Sequence, residues 1–442
     1  MPRTTHVLGF RPLLTFLAPA LGLVALGTST PALADEPDLA AETGEPTPQI
    51  SNGITAQNCQ FPTTLTMGGC TATLVHPRLA TTASHCFGGA GPSSLRFGES
   101  NGLPQRTVGV DFCMRHPVYD ESNGQNLDHD AAFCVLSEAV TDVPITPVLF
   151  SCGIRELYYE QDQVVFAGFG QGGNAGGGGI KRYDETQVSS DVTDFRNSIL
   201  LGGPGNSACP GDSGGPAYIR MPDGTWHNFG ITSFGTAAGC GGTPTSYVMP
   251  HAFLPWIEEE SGIDITPCGD ADGNWAPTEE CTGFSMDPLD SSGSWETGCQ
   301  HQLSGPLRTC GPAYDEEPDT LGPAVALINP EDQAFYDTDL AEFTVQIDAS
   351  DEWGVREVRM LINGEDAGVS VTRGEYAFDA AFPTGTYSLQ ATATDWSGNG
   401  GLEAPYRKSP AIGHFPTCAS MARTWCRMPV AVRTARRWCV CC

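Results

Sequence analysis

The chain has 442 residues, with 22 Lys plus Arg against 52 Asp plus Glu, a formal net charge of −30. That balance excludes nucleic acid and anionic membranes as principal partners. The length fits roughly two to four domains, and 17 cysteines fit an oxidising compartment in which disulfides persist.

Residues 1–34 read as a secretory signal. Arg3 and Arg11 supply positive charge, Leu13 to Leu26 form an apolar core, and Ala32-Leu33-Ala34 is a small-residue cleavage site. A membrane anchor is the weaker reading, because Thr15, Pro19 and Gly22 interrupt a run already short for a span. Residues 35–49 are acidic, Pro-rich and nearly free of bulky apolar side chains, as in a flexible propeptide.

Residues 50–266 alternate short apolar stretches with Gly, Pro and Asn turns. Thr73-Leu74-Val75, Val164-Val165-Phe166-Ala167 and Phe229-Gly230-Ile231-Thr232 are examples, and the pattern predicts an all-β domain. Gln171 to Gly179 is dominated by glycine and predicts a disordered loop.

Three motifs in this stretch carry chemistry: Thr82-Ala83-Ser84-His85-Cys86, Asp128-His129-Asp130-Ala131-Ala132-Phe133 and Gly211-Asp212-Ser213-Gly214-Gly215-Pro216. A serine is a poor nucleophile until a base takes its proton. That base works best when a carboxylate fixes its tautomer. Glycines flanking Ser213 let backbone N–H groups approach a developing oxyanion. Gly211-x-Ser213-x-Gly215 also fits the nucleophile elbow of α/β-hydrolases. That fold needs its acid and histidine after the serine, whereas His227, His251, His301 and His414 lie in no comparable motif.

The order His, Asp, Ser and the flanking residues resemble the trypsin/chymotrypsin family of serine endopeptidases over about residues 50–266. The resemblance implies a double β-barrel closed by a helix at Phe253–Glu260. It makes His85 the general base, Asp130 the orienting carboxylate and Ser213 the nucleophile, with the Gly211 and Ser213 amides as the oxyanion hole. Asp128 is the rival to Asp130. Two residues apart on a strand they share a face, so the choice rests on Asp130-Ala131-Ala132-Phe133 matching the family. Ser84 stands where the family usually has alanine.

Ile50-Ser51-Asn52-Gly53 resembles the family's mature start, whose freed isoleucine amine pairs with the aspartate before the serine, here Asp212. Gln49 precedes the cut, so a trypsin-like activator is excluded and a different activating protease, or a different start, is expected. The specificity pocket maps to Ser207 at its floor, Ser233 and Gly235 on one wall and Thr245 narrowing it. A neutral floor disfavours Lys and Arg, and medium apolar residues are expected ahead of large aromatics. The resemblance also implies the bridges Cys70–Cys86 and Cys209–Cys240. Cys113 with Cys134 follows from expected strand pairing, which leaves Cys59 with Cys152.

Residues 267–310 carry Cys268, Cys281, Cys299 and Cys310 in an acidic, loop-like setting, read as a Cys-rich module with two internal disulfides of open connectivity. Asp270-x-Asp272-x-Asn274 hints at calcium. Gly273 is misplaced for an EF-hand loop, however, and Cys281 stands where its twelfth-position glutamate belongs. Neither metal nor cofactor is therefore expected. Residues 311–322 read as a linker.

Residues 323–402 alternate apolar and polar: Phe343, Val345 and Ile347; Val358, Met360 and Ile362, turned by Asn363-Gly364; and Tyr387, Leu389, Ala391 and Ala393. They resemble bacterial Ig-like sandwich modules and suit binding or spacing. Residues 403–442 form a tail. From Cys418 to Cys442 it holds five arginines, five cysteines and no acid. It reads as frameshifted or foreign sequence in preference to a surface-sorting or metal-binding tail.

The expected protein is thus a secreted serine endopeptidase, with cell-surface association as a variant, acting on proteins or peptides. A catalytically silent protease-fold adhesin is the alternative.

Overall fold

The computed structural model describes residues 50, 53–120, 127–155, 164–171, 178–188, 197–203, 205–235, 240, 243–370, 376–401 and 410–412. The readings of residues 1–34 and 35–49, most of the glycine-rich loop and the tail beyond 412 lie outside them. Among the described residues no helix is long and apolar enough to cross a membrane.

Among the described residues thirteen strands build the first half: Ile54–Thr55 (β1), Thr64–Thr66 (β2), Thr71–His76 (β3), Leu79–Thr82 (β4), Ser94–Phe97 (β5), Arg106–Arg115 (β6), Ala132–Leu136 (β7), Val164–Gly168 (β8), Arg182–Thr186 (β9), Ser198–Leu201 (β10), Pro216–Arg220 (β11), Trp226–Gly235 (β12) and Thr245–Val248 (β13). β2 to β7 close into a barrel in the order β2-β3-β4-β7-β6-β5. Leu65, Leu74, Leu95, Phe97, Val108 and Leu136 fill it. The rest form a sheet in the order β1-β9-β8-β11-β12-β13-β10, curled until Val188 bridges Leu201. Val164, Phe166, Ile219, Phe229 and Tyr247 make its core, and the Ile50 side chain is buried among them.

Helix α1, Leu254–Ser261, has Pro255 in its first turn. It ends at Gly262, whose φ of 66° lets its N–H reach Glu258 O at 2.9 Å. Leu254 and Ile257 pack on Val75, Leu79, Ala83 and Phe133 at the seam between the two β units. The helix thus lies one residue beyond the predicted Phe253–Glu260.

Residues 263–312 are a belt laid on these β units. Phe61 N donates to Pro288 O at 2.7 Å, Trp226 N to Ser285 O at 3.2 Å and Ser285 N to Ile145 O at 3.2 Å. Trp295 Nε1 donates to Glu99 Oε1 at 2.9 Å. The Trp295 ring also lies 5.8 Å from Nζ of the wholly buried Lys181. That ammonium donates to Phe61 O at 2.9 Å and Gln60 O at 3.3 Å, and burial lowers its pKa to about 8.

The disulfides correct two expectations. Cys70–Cys86, Cys113–Cys134 and Cys209–Cys240 form, the second joining directly opposed residues of β6 and β7. Cys59 and Cys152 do not pair with each other. Cys59 bonds Cys299 and Cys152 bonds Cys310, which leaves Cys268–Cys281 as the one internal bridge of the belt. The physical reason is the belt's path, which brings Cys299 and Cys310 onto the barrel surface.

The candidate calcium loop is closed on itself. Asp270 Oδ1 accepts from Asp272 N and Asn274 N, both at 2.9 Å, and Oδ2 accepts from Asn274 Nδ2 at 2.9 Å. Arg356 donates to Asn274 Oδ1 at 2.5 Å and to Asp272 O at 3.0 Å, so a guanidinium lies against the loop.

Nine strands follow among the described residues: Ala324–Asn329 (β14), Phe335–Tyr336 (β15), Leu340–Ser350 (β16), Val355–Ile362 (β17), Glu365–Ser370 (β18), Tyr376–Pro383 (β19), Gly385–Thr386 (β20), Leu389–Asp395 (β21) and Ala411–Ile412 (β22). Antiparallel sheets β14-β16-β19 and β18-β17-β21 share one core that includes Val345, Ile347, Val358, Met360 and Leu389. Asn363 and Gly364 turn β17 into β18 with φ of 54° and 86°, the positive values a tight hairpin demands. The expected boundary at 402 falls short. β22 pairs with β15 and β20, and Ile412 is buried in the same core, so the unit extends to at least that residue.

Candidate active site

The seam between the closed barrel and the curled sheet gathers the three motifs. His85 sits in a short 3-10 turn, Ser84–Cys86, directly after β4. Its Nδ1 lies 2.6 Å from Asp130 Oδ2, and its backbone N–H donates to Asp130 Oδ1 at 2.8 Å. A carboxylate gripped at both oxygens by one residue fixes ring orientation and tautomer together. Asp130 is 1% exposed. Asp128, the rival, pairs instead with His129 Nδ1 at 2.9 Å and is partly exposed.

Two further hydroxyls fix the pair. Ser233 Oγ donates to Asp130 Oδ2 at 2.5 Å. Ser84 Oγ, wholly buried, donates to Ala131 O at 2.6 Å, tying the histidine turn to the aspartate segment. The residue that replaces the family's alanine therefore makes a bond alanine lacks. The sequence points to Ser233 only as a wall residue, and its bond to Asp130 has no local signal. The strand register shifts between Thr232 and Phe234, and a bulge re-aims the side chain it carries.

Ser213 is held against the same turn. Its carbonyl accepts from Thr71 N at 2.8 Å and lies 3.5 Å from Sγ of Cys86, the residue after His85. Gly214 has φ of 81°, and a Cβ there would meet Thr82 Oγ1 at 2.1 Å and Thr71 O at 2.3 Å. No other residue allows this approach of the serine loop to the histidine turn. Gly211 has φ of 102°, and its carbonyl accepts from Thr71 Oγ1 at 2.9 Å. Thr71, which no motif marked, therefore braces both ends of the loop. The Cys70 and Cys86 sulfurs lie near His85, but their disulfide leaves no thiolate for a metal.

Asp212 is wholly buried. Its Oδ1 accepts from Gly170 N at 2.7 Å and its Oδ2 from Cys209 N at 2.8 Å. Burial raises its pKa to about 6, against the pull of those two amides and of Arg182. Beside the loop, Ser207 and Thr245 are buried. Thr245 pairs across the strands with Gly235, and its Oγ1 accepts from Ala208 N at 3.2 Å. Thr245 thus joins Gly235 to the segment that follows Ser207, while Ser233 turns its hydroxyl to Asp130.

Residues 50–257 match the trypsin family model. The chain is 28% identical over 207 residues to brachyurin of Leptuca pugilator, covering 44% of this chain and 88% of that protein. It is 40% identical over 70 residues to proproteinase E of Bos taurus, covering 15% of this chain and 28% of that one. It is 29% identical over 223 residues to an inactive CLIP domain-containing serine protease of Anopheles gambiae, covering 43% and 55% respectively.

Proposed function

Residues 50–257 form a serine endopeptidase domain of the trypsin/chymotrypsin family, and on that premise we propose that His85, Asp130 and Ser213 are its catalytic triad. The observation that carries this reading is the two-point grip of Asp130 on His85, with Ser233 as a third donor to the carboxylate.

In the proposed cycle His85 Nε2 takes the Ser213 proton as Oγ attacks the scissile carbonyl. Asp130 stabilises the imidazolium that forms. The Gly211 and Ser213 amides receive the oxyanion, each such donor worth about 10²–10³ in rate. His85 returns the proton to the leaving amine, and water then repeats the sequence on the acyl-enzyme. Substrates are proteins or peptides. The uncharged set Ser207, Ser233, Gly235 and Thr245 supports cleavage after medium apolar residues, with Thr245 limiting depth.

The chain is secreted in this reading, and cleavage before Ile50 by a protease that accepts Gln49 activates it. The buried Asp212 carboxylate is the acceptor for the freed Ile50 ammonium. The two facing sheets of residues 324–412 serve as an Ig-like spacer or binding module behind the Cys-rich belt.

A phosphonylating active-site reagent is expected to label Ser213, and His85→Ala to abolish the label. Absence of label from the processed protein selects the silent protease-fold reading, which the likeness to an inactive relative keeps open. Digestion of a peptide library tests the pocket, and dominant cleavage after Arg contradicts it. N-terminal sequencing of the secreted product tests the Ile50 start.

A further inference from the structure

Outside the seam, three carboxylates meet where the chain enters its C-terminal β unit. Asp319 comes from the approach segment, Asp351 follows β16 and Asp395 ends β21, and an oxygen of each lies within 4.8 Å of the other two. Asp395 is 0% exposed. Its oxygens accept from Asn399 N at 2.8 Å and Asn399 Nδ2 at 3.0 Å, and that same Nδ2 donates to Asp319 O at 3.1 Å. Asp351 Oδ1 accepts from Trp353 N at 2.8 Å, and Asp319 Oδ1 from Leu321 N at 3.1 Å.

One oxygen stands apart. Asp319 Oδ2 is shielded from solvent and has no hydrogen-bond partner among the described residues. Protein interiors satisfy such atoms or bind something that does. Burial and the neighbouring Asp319 and Asp351 push Asp395 above the ordinary carboxylate range. Burial, Asp319 and Glu352 do the same to Asp351. Among the described residues no Lys or Arg is one of the groups acting on either. Arg356, on the following strand, is committed to Asn274 and Asp272.

We propose that Asp319, Asp351 and Asp395 bind a calcium ion that ties the approach segment to the C-terminal β unit. The donors are oxygens from three separate segments, and calcium tolerates such irregular shells at about 2.3–2.6 Å. Magnesium demands a near-ideal octahedron and keeps its waters. Zinc and copper prefer nitrogen and sulfur ligands, which the cluster lacks. The site is separate from the Asp270 loop, against which the Arg356 guanidinium lies.

The test uses the full chain carrying Ser213→Ala, freed of metal by chelation. Calorimetric titration is expected to find a saturable calcium site, of affinity about 10⁻⁴–10⁻³ M as in extracellular modules. Asp319→Asn and Asp351→Asn, made separately, each weaken it by at least roughly ten-fold. Asp270→Asn leaves it unchanged. In the parent chain, terbium emission sensitised by Trp353 and Trp396 appears and is quenched by added calcium. This readout needs no variant at the cluster, so a misfolded substitution does not blunt the test. No saturable binding and no sensitised emission overturns the proposal. So does calcium binding that survives both ligand variants undiminished.

Discussion

The seam and the belt fix their parts by opposite means. At the seam Asp130 is held by three donors, His85 N, His85 Nδ1 and Ser233 Oγ, all within 2.8 Å. Geometry there depends on individual polar atoms, and deleting one shifts the others. Apart from Trp295, which bonds Glu99 and covers Lys181, the belt is held by Cys59–Cys299, Cys152–Cys310 and backbone hydrogen bonds, which are indifferent to most side chains. Chemistry at the seam should therefore be brittle to conservative substitution. The belt should tolerate side-chain change and fail through its covalent bonds.

The sharpest break of this contrast is Asp130→Asn. An amide there favours the wrong His85 tautomer, and kcat on a peptide substrate should fall by about 10⁴. A fall under ten-fold would show that the carboxylate is not the orienting group. The Cys59→Ser/Cys299→Ser pair should do the reverse. Stability in a denaturant titration drops by about 2–5 kcal/mol, while kcat per folded molecule holds. A loss of kcat at unchanged stability would erase the distinction between the regions.

The third prediction concerns Asp212. Its pKa rises from 3.8 in the unfolded chain to about 6 in the fold. The folded state therefore binds this proton more tightly. The contribution is fully present below pH 3.8 and is lost as pH rises through about 6. In the intact Ser213→Ala chain, the stability advantage over the same chain with Asp212→Asn should shrink across that window. A gap that widens with pH would contradict it. Processing that frees the Ile50 ammonium should reverse the trend. The smallest effect is expected from Ser233→Ala, which removes one hydrogen bond to a charged group. A roughly ten-fold loss in kcat follows, and an unchanged pH–rate profile would reduce Ser233 to a wall residue.

The legible parts of the site are those whose chemistry needs a run of neighbours. Gly214 must approach the histidine turn, and Asp212 and Ser213 ride on the same loop, so the requirement is written in consecutive letters. Ser233 was legible only as part of the wall, because its aim at Asp130 comes from a register shift of β12 against β13. Thr71 carried no signal, since its two contacts depend on how the halves dock. Strand periodicity revealed β16 and β17 well, where one face is buried. It missed β22, which is two residues long and too short to show a period. The Cys59–Cys299 pairing joins residues 240 apart, and no local pattern encodes that distance.

That bond also governs how the protein survives its own trade. The backbone from Cys59 to Cys299 is a covalent ring, so one peptide cut anywhere inside it releases no fragment. A molecule nicked once in a surface loop runs intact on a gel until reductant is added, then separates into pieces. Within that ring a protease has to strike twice before any fragment leaves.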